Sequence, residues 1–425
     1  MNLLRYSLVL LSLVWAVPVA AGDSGTAPAR ITAALQELEA LTERTLESTG
    51  VPGIAVVVVH QDQVVLERGW GVREAGRPDR IDAETVFQLA SVSKPLTSTL
   101  LAVLVGDGKV RWDDRVIDHD PGFRMFDPYV TRELRLRDLL CHRSGLPDHA
   151  GDLLEDLGFE REQVLRRLRF QPPDSSFRAG YAYNNFGYSE AGYAAAKALG
   201  KPWDELAAER LFGPLGMKST SYRFADYEKS SNRARLHVRV DGKWTARYTR
   251  QPDAQAPAGG ASSNLRDLAL WLRLLLGQGE LDGKQLVSAE ALAEAQSPQF
   301  ITGFSPDEGR MGSYGLGWNV SVQRGGRVVC NHSGEFALGM RSEITLLPSE
   351  KLGIVVLSNA APTGIPEGLT ESFLDLVIYG KLQRDWVEFA NQKFAEIVQQ
   401  DRAKARDYSH PPAPPTPALA QDASA

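Results

Sequence analysis

Apolar positions recur at helical spacing over residues 31–49, and the run stops at Gly50. Two β-branched runs follow, Gly53–His60 and residues 63–70, separated only by Gln61 and Asp62, which predicts a hairpin. Further on, Leu96, Leu100, Val103 and Leu104 share one helix face and Gly106 and Gly108 end the run. Pro95 is tolerated only near a first turn, so that helix must start near Ser91. Towards the other end, RVVCN, SEITLL and LGIVVLSN predict three more strands, the last two joined by the turn residues Pro348, Ser349, Glu350 and Lys351. Amphipathic helices are predicted over 367–379 and 385–400, while residues 100–276 are mostly helical and turn-rich. Strands at both ends with helices between them predict an α+β fold. An antiparallel sheet is assembled from both termini and flanked by helices, and a mostly helical subdomain is inserted at about residues 107–250. No internal repeat is visible.

The 425 residues are enough for two or three folding units, or for one large domain with an insertion. Hydrophobic residues at 43% and charged residues at 24% describe an ordinary soluble enzyme and exclude collagen, coiled-coil and mucin-like chains. A formal charge of −6 leaves no basic footprint, so nucleic acid is not an expected partner. Cys141 and Cys330 are the whole thiol complement: no disulfide framework or four-thiolate zinc site can be built, and one disulfide stays open.

The two ends read differently from the middle. Arg5, an apolar stretch over residues 8–17, and then Ala20, Ala21 and Gly22 form the pattern of a secretory signal over residues 1–21, expected to be cleaved after Ala21, with an uncleaved anchor as the alternative. No later segment is apolar for long enough to span a membrane, which predicts an exported protein, periplasmic or secreted, with no stable span once the signal is removed. Residues 406–425 are rich in Pro and Ala and are expected to form a disordered tail, leaving 22–405 as the working domain.

Three segments carry chemistry. Ser91 is the only serine followed three residues later by lysine, here Lys94, and on a helix the two side chains share a face. A serine hydroxyl becomes nucleophilic when a neighbour takes its proton, and a partly buried lysine with a lowered pKa, or a tyrosine, can do that. The helix start adds unpaired amides for a developing oxyanion. Of the 12 tyrosines, only Tyr183 is followed two residues later by asparagine, Asn185. A nearby ammonium would lower the Tyr183 pKa and let it shuttle a proton, while Asn185 offers a donor and an acceptor to a substrate amide. Equally, Tyr181, Tyr183, Phe186 and Tyr188 could form an aromatic packing cluster. Finally, His332, Ser333 and Gly334 end a strand, where glycine lets a ligand approach the backbone and the Glu335 amide points along an open edge. A second His-x-Gly, at His149 to Gly151, lies in a polar loop without strand context.

Taken in order, Ser-x-x-Lys, Tyr-x-Asn and His-x-Gly resemble the three signature boxes of the serine β-lactamase and penicillin-binding-protein superfamily. The flavour is similar to its class C β-lactamase branch with the related esterases and D-amino-acid peptidases. CHRSGLPD from Cys141, LFGPLGMKSTSY from Leu211, SYGLGW from Ser313 and the block over 331–359 support the likeness, which spans about residues 33–380. The resemblance implies that Ser91 attacks an acyl carbon, that Lys94 and Tyr183 handle its proton, and that His332 sits beside the tyrosine. It also implies that the amides of Ser91 and Glu335 form the oxyanion hole, and that Asn185, Ser333, Gly334 and Glu335 line the substrate. No metal or organic cofactor is implied, and the partner is a small ester, amide or peptide. Where that family usually carries Lys-Thr-Gly, this chain has His332, and a neutral imidazole holds a carboxylate less well than a permanent cation. Ester or small-peptide cleavage is therefore expected ahead of β-lactam hydrolysis. A Glu335 side chain turned inward would favour neutral or amine-bearing acyl donors.

Two other readings compete. Asp118, His119, Asp120, His142, Asp148 and His149 contain metal-binding residue types, but at spacings that fit no recognised zinc pattern. A catalytically silent binding protein of the same fold is the second rival, and it is opposed by the retention of Ser91, Lys94 and Tyr183 together.

Overall fold

The structure is a computed structural model that describes residues 28–305, 310–323 and 326–407. The signal segment 1–21 and the tail beyond residue 407 lie outside the described residues.

Eight strands form one antiparallel sheet. In chain order they are β1 (Gly53–His60), β2 (Gln63–Gly71), β3 (Phe300–Ser305), β4 (Arg310–Tyr314), β5 (Asn319–Val322), β6 (Val328–Phe336), β7 (Met340–Leu347) and β8 (Leu352–Ser358). Their spatial order is β2-β1-β8-β7-β6-β5-β4-β3, so the N-terminal hairpin docks through β1 onto the last C-terminal strand. Ile54 faces Ser358 and His60 faces Leu352 across that junction. Every residue of β1 is buried because the sheet is covered on both sides. Ala55, Val57 and Val59 enter the core shared with the central helices, while Ile54, Val56 and Val58 enter the core beneath the terminal helices.

The terminal side is covered by α1 (Pro28–Thr49) and, from the far end of the chain, α5 (Ile365–Tyr379) and α6 (Trp386–Asp407). The opposite side holds α2 (Ser93–Gly106), α3 (Asn185–Ala198) and α4 (Leu265–Leu276). The helix α6 runs seven residues past the expected end at 400 and takes in residues 406 and 407 of the expected tail.

Within the inserted region the helices run as far as Lys229. The chain then returns to the sheet: the His237 amide donates to the Asn359 carbonyl at 3.0 Å, and the Trp244 indole donates to the carbonyl of Thr49 at 3.3 Å. Beyond the central helices, residues 300–305 form β3 and Arg310 opens β4.

The helix that carries the first chemical box is not amphipathic. Every residue from Ser93 to Leu104 is buried, and three of the four hydroxyls there, all but that of Ser98, find internal partners. Ser93 Oγ accepts from the Ala261 amide at 2.9 Å, and Thr97 Oγ1 donates to the Pro257 carbonyl at 2.7 Å. Thr99 Oγ1 accepts from the Trp271 indole at 3.1 Å. Such a helix is fixed on all sides, which gives its first turn a defined position under the sheet.

Candidate active site

Ser91 sits on a single 3-10 turn, Ala90–Val92, that leads into α2. Ala90 has φ of 44°, a left-handed backbone that a residue with a Cβ rarely adopts, and it turns the serine out of the buried segment. The turn is pinned to the sheet, because Ser342 Oγ on β7 donates to the Leu89 carbonyl at 2.7 Å. Beside it, β6 outruns β5: β5 pairs only with Val328 to Asn331, so His332 to Phe336 are paired on the β7 side alone. That free edge passes against the nucleophile. A Cβ built on Gly334 would lie 2.9 Å from the Ser91 amide nitrogen and 2.4 Å from the Leu89 carbonyl oxygen, an approach only glycine permits.

Two side chains reach the Ser91 hydroxyl. Lys94 Nζ is 3.1 Å from Oγ, and the Tyr183 hydroxyl donates to Oγ at 2.9 Å. Lys94 is fully buried and also donates to Asn185 Oδ1 at 2.7 Å and to the Ala258 carbonyl at 3.0 Å. Those two partners only accept. A neutral Lys94 can therefore donate to both while its lone pair faces the Ser91 proton. Burial, opposed by the charge of Asp152, brings the Lys94 pKa down to about 7, so the neutral amine is populated near neutrality.

The tyrosine behaves differently from the sequence expectation. Burial pushes its pKa up from the ordinary phenol value, against a smaller lowering by the Ser91 hydrogen bond, although Lys94 Nζ lies 4.5 Å from its ring centroid. Tyr183 is therefore a protonated phenol at neutral pH and acts here as a donor. The rings of Tyr181, Tyr183 and Tyr188 pack around His142 at 5.7, 4.5 and 5.7 Å, and the Tyr183 hydroxyl reaches Ser91 from that cluster.

His332 lies 6.3 Å from Tyr183 between ring centroids, and its hydrogen bond goes to Tyr314, whose hydroxyl is 2.9 Å from Nε2. Nδ1 faces the Ser333 carbonyl at 2.6 Å, so the tautomer satisfying both contacts carries its proton on Nδ1. Burial, helped by Lys94, lowers its pKa to about 3 and keeps the ring neutral. Both nitrogens being engaged, it orients the aromatic wall and holds no proton facing Ser91. Asn185 is likewise spent: Oδ1 accepts from Lys94, and Nδ2 donates to Asp152 Oδ2 at 2.8 Å.

Strand alternation puts His332 and Gly334 on the nucleophile side and sends Ser333 and Glu335 through to the other face. Glu335 pairs there with Arg341, which also binds Glu367 at 2.6 Å, so its carboxylate does not sit at the site mouth as an inward Glu335 would. Ser333 Oγ donates to Glu343 Oε2 at 2.6 Å, and Thr345 Oγ1 donates to Oε1 at 3.0 Å. Burial, and then the neighbouring Glu367, push the Glu343 carboxyl up from its ordinary value. A carboxyl whose pKa is raised by folding contributes stability that is complete below the ordinary Glu range and is lost as pH rises through the raised value. Glu343→Gln is therefore expected to melt higher than the parent chain at pH 9, with the gap closing towards pH 5. Thermal melts at both pH values check this, and an equal gap at both would contradict it.

Asp152, at the start of the short helix Asp152–Asp156, is the residue that sequence reasoning missed. Its one available signal is position, three residues after His149, whose Nδ1 it meets at 2.7 Å. The residues weighed as metal ligands have separate partners: His119 contacts Asp114, Asp118 pairs with Arg115 and Asp120 with Lys197. Cys141 and Cys330 are free, buried thiols, both pushed up to about 12 by burial.

The chain is 27% identical over 409 residues to the unguisins hydrolase ungD of Aspergillus violaceofuscus, covering 86% of this chain and 69% of that protein. It is 25% identical over 334 residues to the D-alanyl-D-alanine-carboxypeptidase/endopeptidase AmpH of Escherichia coli K12, covering 77% and 85%. In structure it is similar to the octameric penicillin-binding protein homologue from Pyrococcus abyssi, with a TM-score of 0.71 at 22% identity over 84% of this chain and 80% of that one. The family model described as Beta-lactamase matches residues 38–371, a span that holds Ser91, Lys94, Tyr183, Asn185 and His332, and the chain belongs to that family.

Proposed function

We propose that this protein is an exported serine hydrolase that forms an acyl-enzyme on Ser91 and cleaves a small amide, peptide or ester bond. The observation that carries the reading is the convergence of Lys94 Nζ and the Tyr183 hydroxyl on Ser91 Oγ, at 3.1 and 2.9 Å. Neutral Lys94 takes the serine proton as Oγ bonds to the acyl carbon, and the carbonyl electrons move onto oxygen. The Ser91 amide and the free edge of β6 at Glu335 face that oxyanion. Collapse expels the leaving group, which receives the proton through the Tyr183 hydroxyl. Water then adds to the acyl carbon, gives its proton back through the same pair, and releases Ser91.

The substrate class follows from charge. His332 is held neutral, so it brings no cation to a substrate carboxylate. That favours amide, peptide and ester substrates over β-lactams, and the name of the AmpH relative favours a peptide bond. Export rests on the pattern of residues 1–21, and a mature chain beginning at Gly22 is its signature.

Initial rates on a short-chain nitrophenyl ester, a D-alanyl anilide and a chromogenic cephalosporin, each with Ser91→Ala as control, test the reading. The expected result is turnover of ester and anilide that disappears in Ser91→Ala, with the cephalosporin slowest. No turnover of any of the three probes, together with no mass adduct on Ser91, would give the site to the silent binding protein, and turnover unchanged in Ser91→Ala would place the nucleophile elsewhere.

A further inference from the structure

We infer that Asp152 is a positioning residue for the Lys94 base, acting through Asn185 to fix both the orientation of that amide and the electrostatic field at Nζ. The inference rests on the hydrolase reading for its kinetic consequences and on geometry for the rest. Asp152 Oδ2 accepts from Asn185 Nδ2 at 2.8 Å, and Asn185 Oδ1 accepts from Lys94 Nζ at 2.7 Å. An amide can be turned either way, but an ionised carboxylate only accepts, so Asp152 compels the NH2 group to face it and the carbonyl oxygen to face Lys94. With its other donor directed at the Ala258 carbonyl, Lys94 keeps its remaining position for Ser91.

A purely structural role explains this carboxylate poorly. Asp152 Oδ1 is buried and has no hydrogen-bond partner, a cost that a neutral side chain in the same place would avoid. His149 approaches the same Oδ2 from the solvent side at 2.7 Å, with its side chain 56% exposed, and this hydrogen bond raises the His149 pKa. His149 is placed by its own backbone: φ is 55°, and its amide donates to the Tyr183 carbonyl at 2.7 Å. A continuous path thus runs from solvent through His149, Asp152 and Asn185 to Lys94.

The other groups around Nζ are Ser91 on its own turn, Tyr183 and Tyr188 from the α3 side, and His142 and His332, both held neutral by burial. Asp148 acts on His149 and Tyr183, and Glu155 is tied to Arg250 at 2.6 Å. Asp152 is accordingly the charge that opposes the burial of the Lys94 ammonium. Removing it makes the ammonium harder to hold, so Lys94 loses its proton at lower pH.

Asp152→Asn keeps an acceptor for Asn185 and removes the charge, whereas Asp152→Leu removes both. Each is read twice: by the pH dependence of kcat/KM on the nitrophenyl ester, and by titration of the Lys94 ammonium in 15N-lysine-labelled protein, assigned by its loss in Lys94→Arg. In Asp152→Asn the acid limb and the Lys94 midpoint are expected to move down together by about half a pH unit or more. In Asp152→Leu, kcat is expected to fall about tenfold or more with KM little changed. An unmoved Lys94 midpoint in Asp152→Asn overturns the inference, whether or not Asp152→Leu folds. Absence of Ser91-dependent turnover in the parent chain would instead remove the hydrolase reading, and the Lys94 midpoint would still decide the role of Asp152.

Discussion

Lys94→Ala is expected to lower turnover by at least about a hundredfold on ester and amide substrates alike, equivalent to about 2.7 kcal/mol of transition-state stabilisation. The reason is that Lys94 is the sole neutral base in contact with Ser91 Oγ among the described residues: Tyr183 is raised and protonated, and His332 is bonded to Tyr314. The pH dependence carries the sign. Lys94 is active without its proton and its pKa is brought to about 7, so kcat/KM should climb as pH rises through about 7 and then level off. That limb should vanish in Lys94→Ala. Tyr183→Phe separates the two roles, because a nitrophenolate leaves without a proton and an amine does not. Its loss should be small on the nitrophenyl ester and at least about a hundredfold on the anilide. Rates for both variants on both substrates from pH 5 to 9 check this. A rate that falls as pH rises through 7, or an intact rate in Lys94→Ala, would assign the base elsewhere.

The elements that the sequence made legible are those whose burial is uniform or periodic. β1 and β8 are buried along their whole length and read as unbroken β-branched runs, and the turn at 348–351 closes with Lys351 in a left-handed conformation. Strands β3 and β4 were not legible, and the cause is physical. They form the far edge of the sheet, Ile301, Phe304 and Met311 are exposed, and a register shift at Gly312 and Ser313 breaks the alternation. The site divides in the same way. Ser91, Lys94, Tyr183 and Asn185 lie close enough in sequence, pair by pair, for spacing to mark them. Asp152 and Tyr314 reach Asn185 and His332 through tertiary contacts, from a short helix and from the end of β4, and the one local signal, the place of Asp152 three residues after His149, lies outside the three boxes. Strand alternation was readable in principle. Applied to β6, it separates His332 and Gly334 from Ser333 and Glu335, and it directs the Glu335 carboxylate to Arg341 on the far face.

Gly334→Ala should be as damaging as loss of the base, for a reason of space and not of backbone strain. The added methyl would meet the Leu89 carbonyl oxygen at 2.4 Å, Ser342 Oγ at 2.5 Å and the Ser91 amide nitrogen at 2.9 Å. A serine hydroxyl can rotate away, but two of the three atoms are backbone on the turn that carries the nucleophile. The Leu89 carbonyl is also already held by Ser342. Relief therefore requires β6 and the 89–91 turn to part, which separates the Ser91 amide from the strand edge that faces the oxyanion. Overpacking of this kind costs roughly 1–3 kcal/mol of stability, which a chain of this size can absorb while remaining folded. The expected outcome is a folded variant with a lowered thermal midpoint and a loss of at least about a hundredfold in kcat on the nitrophenyl ester. Because none of the three atoms belongs to Lys94 or Tyr183, the pH at half-maximal rate should stay where the parent chain has it. A loss of rate accompanied by a displaced acid limb would mean that the methyl group had disturbed Lys94, and full rate with a lowered midpoint would remove the β6 edge from the reaction.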